Sequence, residues 1–109
     1  MKQYTLAAPV TLQGKGLHTG KNVTITLKPA NENTGFVFVR VDLEGNPVIE
    51  AEASYVTSTE RGTVLEKKGV KIQTCEHILA ALVGMNLDNV IMELDAPEPP
   101  IMDGSAKYF

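Results

Sequence analysis

The chain has little of several residue types, and each shortage excludes a class of protein. It has one cysteine in 109 residues, so no disulfide can form within it, and a single thiol is typical of a reducing compartment. No apolar run approaches the roughly 20 residues of a membrane-spanning helix, which predicts no membrane span. The first ten residues lack the continuous apolar stretch of a secretory signal. We therefore expect a cytoplasmic location.

The chain also lacks a concentration of positive charge. Lys and Arg number 10 against 13 Asp and Glu, for a formal net charge of −3, and no dense basic run occurs. This argues against nucleic acid as a partner, although it leaves room for a local basic patch. Hydrophobic residues make up 43% and charged residues 21%, which are ordinary proportions for one globular domain with a modest core.

Familiar site motifs are absent as well. The zinc motif His-Glu-x-x-His does not occur, and its inverted form fails because residue 73 is a glutamine. Residues 14–21, GKGLHTGK, have the wrong spacing for a Walker loop or a dinucleotide fingerprint, and a strand rather than a helix follows them. Their three glycines within seven residues instead predict a turn that needs positive φ or close approach of the backbone.

The patterns that are present indicate a mostly antiparallel sheet. Alternating apolar residues, or short apolar runs bounded by turn residues, predict strands over residues 4–12, 23–27, 36–41, 48–53, 63–65, 70–72 and 89–94. The strand at 36–41 is apolar on both faces and is expected in the interior of the sheet. Residues 54–61 are polar and are predicted to form a loop.

One helix is predicted directly after the strand at 70–72. Thr74 can serve as its N-cap and Gly84 can end it. Its apolar face is predicted to carry Cys75, Leu79, Leu82 and Val83. A second helix start is predicted at residues 103–105, with Asp103 or Ser105 as the cap. The elements together predict an α+β fold in which one or two helices cover one face of the sheet.

Glu76 and His77 fall in the first turn of the predicted helix. The partial positive charge of a helix N-terminus favours an ionised carboxylate and a neutral imidazole. A neutral imidazole can bind a metal ion and an ionised carboxylate can take a proton from water, which is what a hydrolytic zinc site needs. An isolated Glu-His pair more often has no such task, because helix starts favour acidic residues in any case.

Four further segments occur in order along the chain: GKGLHTG at 14–20, TCEHILAAL at 74–82, DNV at 88–90 and APEPPIMDGSA at 96–106. Together they resemble the N-terminal part of one enzyme family, the UDP-3-O-acyl-N-acetylglucosamine deacetylases. The resemblance implies a Zn²⁺-dependent hydrolase of lipid A biosynthesis, whose substrate is a UDP-sugar lipid precursor. It also implies a two-layer sandwich with helices packed on one face.

The resemblance implies roles for three residues. Glu76 would be the general base, His77 a zinc ligand, and His18 on the glycine-rich turn a substrate-binding residue. The other zinc ligands and the general acid would lie in a second domain of the same polypeptide. We therefore expect residues 1–109 to be a truncated N-terminal domain that is inactive alone.

Two residues keep alternative interpretations. Cys75 stands where an apolar residue such as valine is more usual in the family, and it is either a zinc-binding thiolate or a small buried hydrophobe. Asp103 matches the family motif Met-Asp-Gly-Ser but also suits a helix cap. For the chain as a whole, the alternative is a non-enzymatic α+β domain that binds a ligand or partner, with Glu76 and His77 as ordinary surface residues.

Overall fold

A computed structural model describes residues 2–16, 19–59 and 62–100, which fold into two sheets and an α-helix. The elements are β1 (Val10–Lys15), β2 (Asn22–Pro29), β3 (Phe36–Arg40), β4 (Val48–Glu50), a 3-10 turn (Ala53–Tyr55), β5 (Val56–Ser58), β6 (Val64–Lys67), β7 (Val70–Ile72), α1 (Glu76–Gly84) and β8 (Val90–Leu94). The larger sheet has the order β1-β2-β8-β3-β4, and the smaller one has the order β5-β6-β7. Strand pairing is antiparallel except between β3 and β8. The predicted α+β class is confirmed.

The side chains on one face of the larger sheet form most of the hydrophobic core. Alternate residues of β2 are buried, and so are alternate residues of β8, because successive side chains of a strand point to opposite faces. The buried residues contributed by this sheet include Leu12, Val23, Ile25, Leu27, Phe38, Ile49, Val90, Met92 and Leu94. β3 pairs with β8 on one side and β4 on the other, so the predicted interior position of this strand is correct.

The helix and the smaller sheet form the second layer. Leu65 of β6, Ile72 of β7, and Ile78 and Leu82 of α1 belong to the same buried cluster as the larger sheet. Fully burying one such aliphatic side chain contributes about 1.5–3 kcal/mol. This arrangement is a two-layer sandwich, as expected, and its second layer carries the helix start with Glu76. The described residues contain no helix with the length and apolarity of a membrane crossing.

The first strand is shorter than the alternation predicted. β1 begins at Val10, and the side chain of Tyr4 is 55% exposed. The Tyr4 N–H donates to Oδ2 of Asp88 at 2.8 Å, and the Asp88 N–H donates to the Tyr4 carbonyl at 2.8 Å. These bonds hold residue 4 beside the loop before β8, and Pro9 has no N–H to continue a sheet ladder towards it.

The region predicted as a loop at 54–61 contains the end of the 3-10 turn and the strand β5. The 3-10 turn Ala53–Tyr55 leads into β5, which pairs with β6 through a register shift. Only a few exposed residues form β5, so the sequence carries no alternating pattern that could have indicated a strand.

The helix differs from its prediction at its N-cap and in the composition of its apolar face. Cys75 occupies the N-cap position without a side-chain capping bond, so the assignment of Thr74 as N-cap is wrong. Val83 is 61% exposed, whereas Ile78 is buried on the apolar face with Cys75 and Leu82. The helix ends at Gly84, as predicted. The predicted helix start at Asp103 lies outside the described residues.

Candidate functional site

Glu76 at the start of α1 is held by the residue that precedes β6. The Thr63 N–H donates to Oε2 of Glu76 at 2.8 Å. In return, the Cys75 N–H donates to the Thr63 carbonyl at 3.2 Å. A hydrogen bond to an ionised carboxylate is shorter and stronger than one between neutral groups. The reciprocal pair therefore fixes one carboxylate oxygen and ties the helix start to the smaller sheet.

The backbone around Glu76 adopts two unusual conformations. Gly62 has φ +107°, and a Cβ at this position would lie 2.9 Å from Oε1 of Glu76 and 3.3 Å from Cα of Thr74. Thr74 itself has φ 53°, which is rare for a β-branched residue. Such backbone strain clusters at functional sites. The position of Glu76 thus requires that residue 62 has no side chain, and it follows a threonine in a strained conformation.

His77 is the accessible member of the pair. Its side chain is 76% exposed, against 35% for Glu76, and Nε2 lies 3.8 Å from Oε1 of Glu76. That separation is too long for a hydrogen bond, so the neighbouring carboxylate does not occupy the imidazole. Zinc is commonly bound by a ring nitrogen of histidine, so the accessible imidazole of His77 has the chemistry of a zinc ligand. Within the described ranges, no three His, Cys, Asp or Glu side chains come together to hold a metal ion.

Cys75 is a buried thiol rather than a metal-binding thiolate. Its side chain is fully buried, and Sγ donates to the Thr63 carbonyl at 3.5 Å. Burial, with a contribution from the negative charge of Glu76, raises the pKa of the Cys75 thiol to about 11. The thiolate is the form that binds a metal. The structure thus favours the interpretation of Cys75 as a small hydrophobe of the core.

The glycine-rich turn closes the hairpin between β1 and β2. The Gly20 N–H donates to the Gly16 carbonyl at 3.0 Å, and the Gly16 N–H donates to the Lys21 carbonyl at 3.1 Å. Gly20 has φ 67°, which agrees with the predicted need for positive φ in this turn. His18 lies outside the described residues, so its role in substrate binding stays a prediction.

Residues 95–100, directly after β8, connect this turn with the approach to the helix. The Pro97 carbonyl accepts the Gln73 N–H at 2.6 Å. The next residue, Glu98, accepts the Thr19 N–H at Oε1 over 3.1 Å. Because these two acceptors are consecutive in the chain, the glycine-rich turn and the residues leading to Glu76 lie beside one short segment. The structure therefore brings together two of the motifs that the sequence singled out.

Sequence reasoning missed three residues of this arrangement. Glu98 is fully buried, and a glutamate between prolines in residues 96–100 was the available signal. Gly62 could have been suspected because it is a glycine directly after the predicted loop at 54–61. Thr63 gave no signal, since it acts through backbone atoms that every residue other than proline carries.

Comparison with known proteins assigns this arrangement a family. The family model described as UDP-3-O-acyl N-acetylglycosamine deacetylase matches residues 3–109. Two bifunctional enzymes LpxC/FabZ are similar, from Bacteroides thetaiotaomicron (51% identity over 100% of this chain and 24% of the relative) and from Porphyromonas gingivalis (56% over 99% and 23%). The UDP-3-O-acyl-N-acetylglucosamine deacetylase of Myxococcus xanthus is 52% identical over 98% of this chain and 34% of its own length. The chain thus spans a quarter to a third of these relatives.

Proposed function

Because the chain belongs to the UDP-3-O-acyl N-acetylglycosamine deacetylase family, we propose that it is the N-terminal domain of a zinc-dependent deacetylase of lipid A biosynthesis. The reaction would hydrolyse the N-acetyl group of UDP-3-O-acyl-N-acetylglucosamine to acetate and a free amine. The chain covers 24% of the relative from Bacteroides thetaiotaomicron, and the proposal assigns the rest of the site to a second domain of the same polypeptide. The single cysteine supports a cytoplasmic location.

The proposal that Glu76 is the general base rests on the different environments of its two carboxylate oxygens. Oε2 accepts the Thr63 N–H at 2.8 Å. Oε1 lies on the side of Gly62 and His77. A base needs a fixed orientation and one oxygen that can reach the proton it removes. We assign to Oε1 of Glu76 the removal of a proton from the attacking water.

His77 would contribute one ligand to the zinc ion through its accessible imidazole. Zinc, when bound, polarises the amide carbonyl and lowers the pKa of a water from about 15.7 towards about 7. A catalytic zinc site commonly takes three protein ligands, and the proposal places the other two in the second domain. For that reason we propose that residues 1–109 are inactive alone.

Replacing Glu76 by glutamine in the complete enzyme tests the proposal. Glu76→Gln keeps the shape of the side chain but cannot take a proton, so acetate release should fall by about 10²–10⁴-fold. Glu93→Gln is the matched control, because Glu93 lies on β8 and pairs with Lys28 at 3.0 Å on the sheet. The control should retain normal turnover. Near-normal turnover of Glu76→Gln would refute the assignment of the base.

A further inference from the structure

Glu98 is a fully buried carboxylate for which the proposed reaction has no use. Burying a carboxylate is costly unless hydrogen bonds satisfy it, and an apolar side chain of similar size would often be more stable in its place. Oε1 of Glu98 accepts the Thr19 N–H at 3.1 Å. Gly16 lies against the same carboxylate, because a Cβ there would overlap Oε1 of Glu98 and Oγ1 of Thr19.

The segment that carries Glu98 is stiff enough to fix the position of the glycine-rich turn relative to the start of α1. Pro97 and Pro99 flank it, and each proline fixes its own φ. The Pro97 carbonyl accepts the Gln73 N–H at 2.6 Å, three residues before Glu76. One stiff stretch of chain is thus bonded on one side to the helix approach and on the other to the glycine-rich turn.

We propose that Glu98 is a positioning residue that holds the glycine-rich turn, through Gly16 and Thr19, in a fixed place relative to the helix start that carries Glu76. The inference rests on the proposed function, since it treats the turn as the substrate-binding side of that site. The turn has the properties of such an element: its glycines allow close approach of the backbone to a ligand, and its sequence includes His18, the residue predicted to bind substrate. Glu98 acts on the substrate through this turn and does not touch the reacting atoms.

Two substitutions at Glu98 separate the hydrogen bond from the packing. Glu98→Leu in the complete enzyme keeps a similar volume but removes the acceptor of the Thr19 N–H. The expected result is a fall in kcat/KM of about 10–100-fold, mainly through a higher KM, with zinc content unchanged. Glu98→Gln should restore most of the loss, because its amide oxygen can still accept this N–H. Glu93→Gln, on the sheet surface, is the control and should match the parent.

A double-mutant cycle with His18→Ala distinguishes positioning from general stabilisation. If Glu98 acts through the turn, Glu98→Leu should change kcat/KM little once His18 has been removed. Independent effects would instead multiply. Gly16→Ala perturbs the same contact from the opposite side, so it should also raise KM and be non-additive with His18→Ala. This variant keeps the test decisive if Glu98→Leu does not fold.

A measurement that does not depend on activity completes the test. Amide hydrogen exchange of the complete enzyme should become faster in the peptide covering residues 16–21 of Glu98→Leu, and stay unchanged in the peptide covering α1. A wild-type KM and unchanged exchange in Glu98→Leu would overturn the inference, as would losses that multiply with His18→Ala. If the parent enzyme shows no deacetylase activity, the proposed function fails, and the exchange data alone decide whether Glu98 holds the turn.

Discussion

The larger sheet and the site cluster, which we define as Gly62, Thr63, Thr74–His77 and residues 95–98, are built in different ways. β1 and β2 pair over six consecutive positions without a register shift, and the buried residues simply alternate along β2 and β8. In the site cluster, positions are set by bonds between residues distant in the chain, such as Thr63 to Glu76. The alternation of apolar residues along each strand therefore determines the larger sheet, whereas hydrogen bonds between distant segments determine the geometry of the site cluster.

Weakening the sheet should affect stability without changing the chemistry. Phe38 is fully buried on β3, and Phe38→Ala should lower the free energy of unfolding by about 3–5 kcal/mol. Turnover per folded molecule should stay near that of the parent at temperatures where the variant is folded. Thermal unfolding and acetate release of the complete enzyme provide the measurement. A large loss of kcat in the folded variant would show that the two regions are not separable.

Substituting glycines in each region should sharpen the contrast. Gly62 and Gly45 both have positive φ, but a Cβ on Gly62 would meet Glu76 and Thr74, whereas a Cβ on Gly45 would meet nothing within 4 Å. Forcing alanine into this conformation costs about 1–2 kcal/mol at either position. Gly62→Ala should in addition displace Glu76 and reduce kcat by up to about 100-fold. Equal activity of the two variants would contradict the role of Gly62.

The smallest effect is expected from an ion pair at the end of β3. Arg40 is buried and forms two bonds to Asp42, at 2.9 and 2.7 Å, and they hold the pKa of this carboxyl below its ordinary 3.8. Since the pKa is lower in the folded protein, the pair stabilises the fold above the ordinary pKa, and the contribution is lost as the pH falls through the folded value. Asp42→Asn should cost about 1–3 kcal/mol at neutral pH.

The pH dependence of this variant provides the check. Unfolding measured from about pH 7 to about pH 3 should show a smaller acid-induced loss for Asp42→Asn than for the parent. Catalytic turnover at neutral pH should be equal in the two proteins. An unchanged acid-induced loss would mean that Asp42 contributes nothing to it.

The scaffold could be predicted from the sequence because its signals are local. Alternation in residues 23–27 predicted β2, and the short apolar runs at 36–41 and 48–53 predicted β3 and β4, which pair with each other. The strand predicted from residue 4 failed because a distant side chain, Asp88, bonds to the backbone of Tyr4. No property of a single residue indicates such a partner.

The site could be predicted only as a set of motifs. Glu76 and His77 were correctly placed in the first turn of a helix, and their roles stay predictions. The positive φ of Thr74 and the burial of Glu98 were not predicted. Threonine rarely adopts a positive φ, and glutamate is rarely fully buried. Both residues contact segments distant in the chain, Thr74 at Gly62 and Glu98 at Gly16 and Thr19.

The division of roles between His77 and Glu76 is the central claim, and the zinc content of two variants tests it most directly. The complete enzyme, His77→Ala and Glu76→Gln should be dialysed against a mild chelator and the zinc bound per chain measured. His77 is 76% exposed, so its replacement removes little packing and both variants should stay folded. We predict that Glu76→Gln keeps the zinc content of the parent and that His77→Ala loses it. A His77→Ala variant that holds zinc as tightly as the parent would contradict the account.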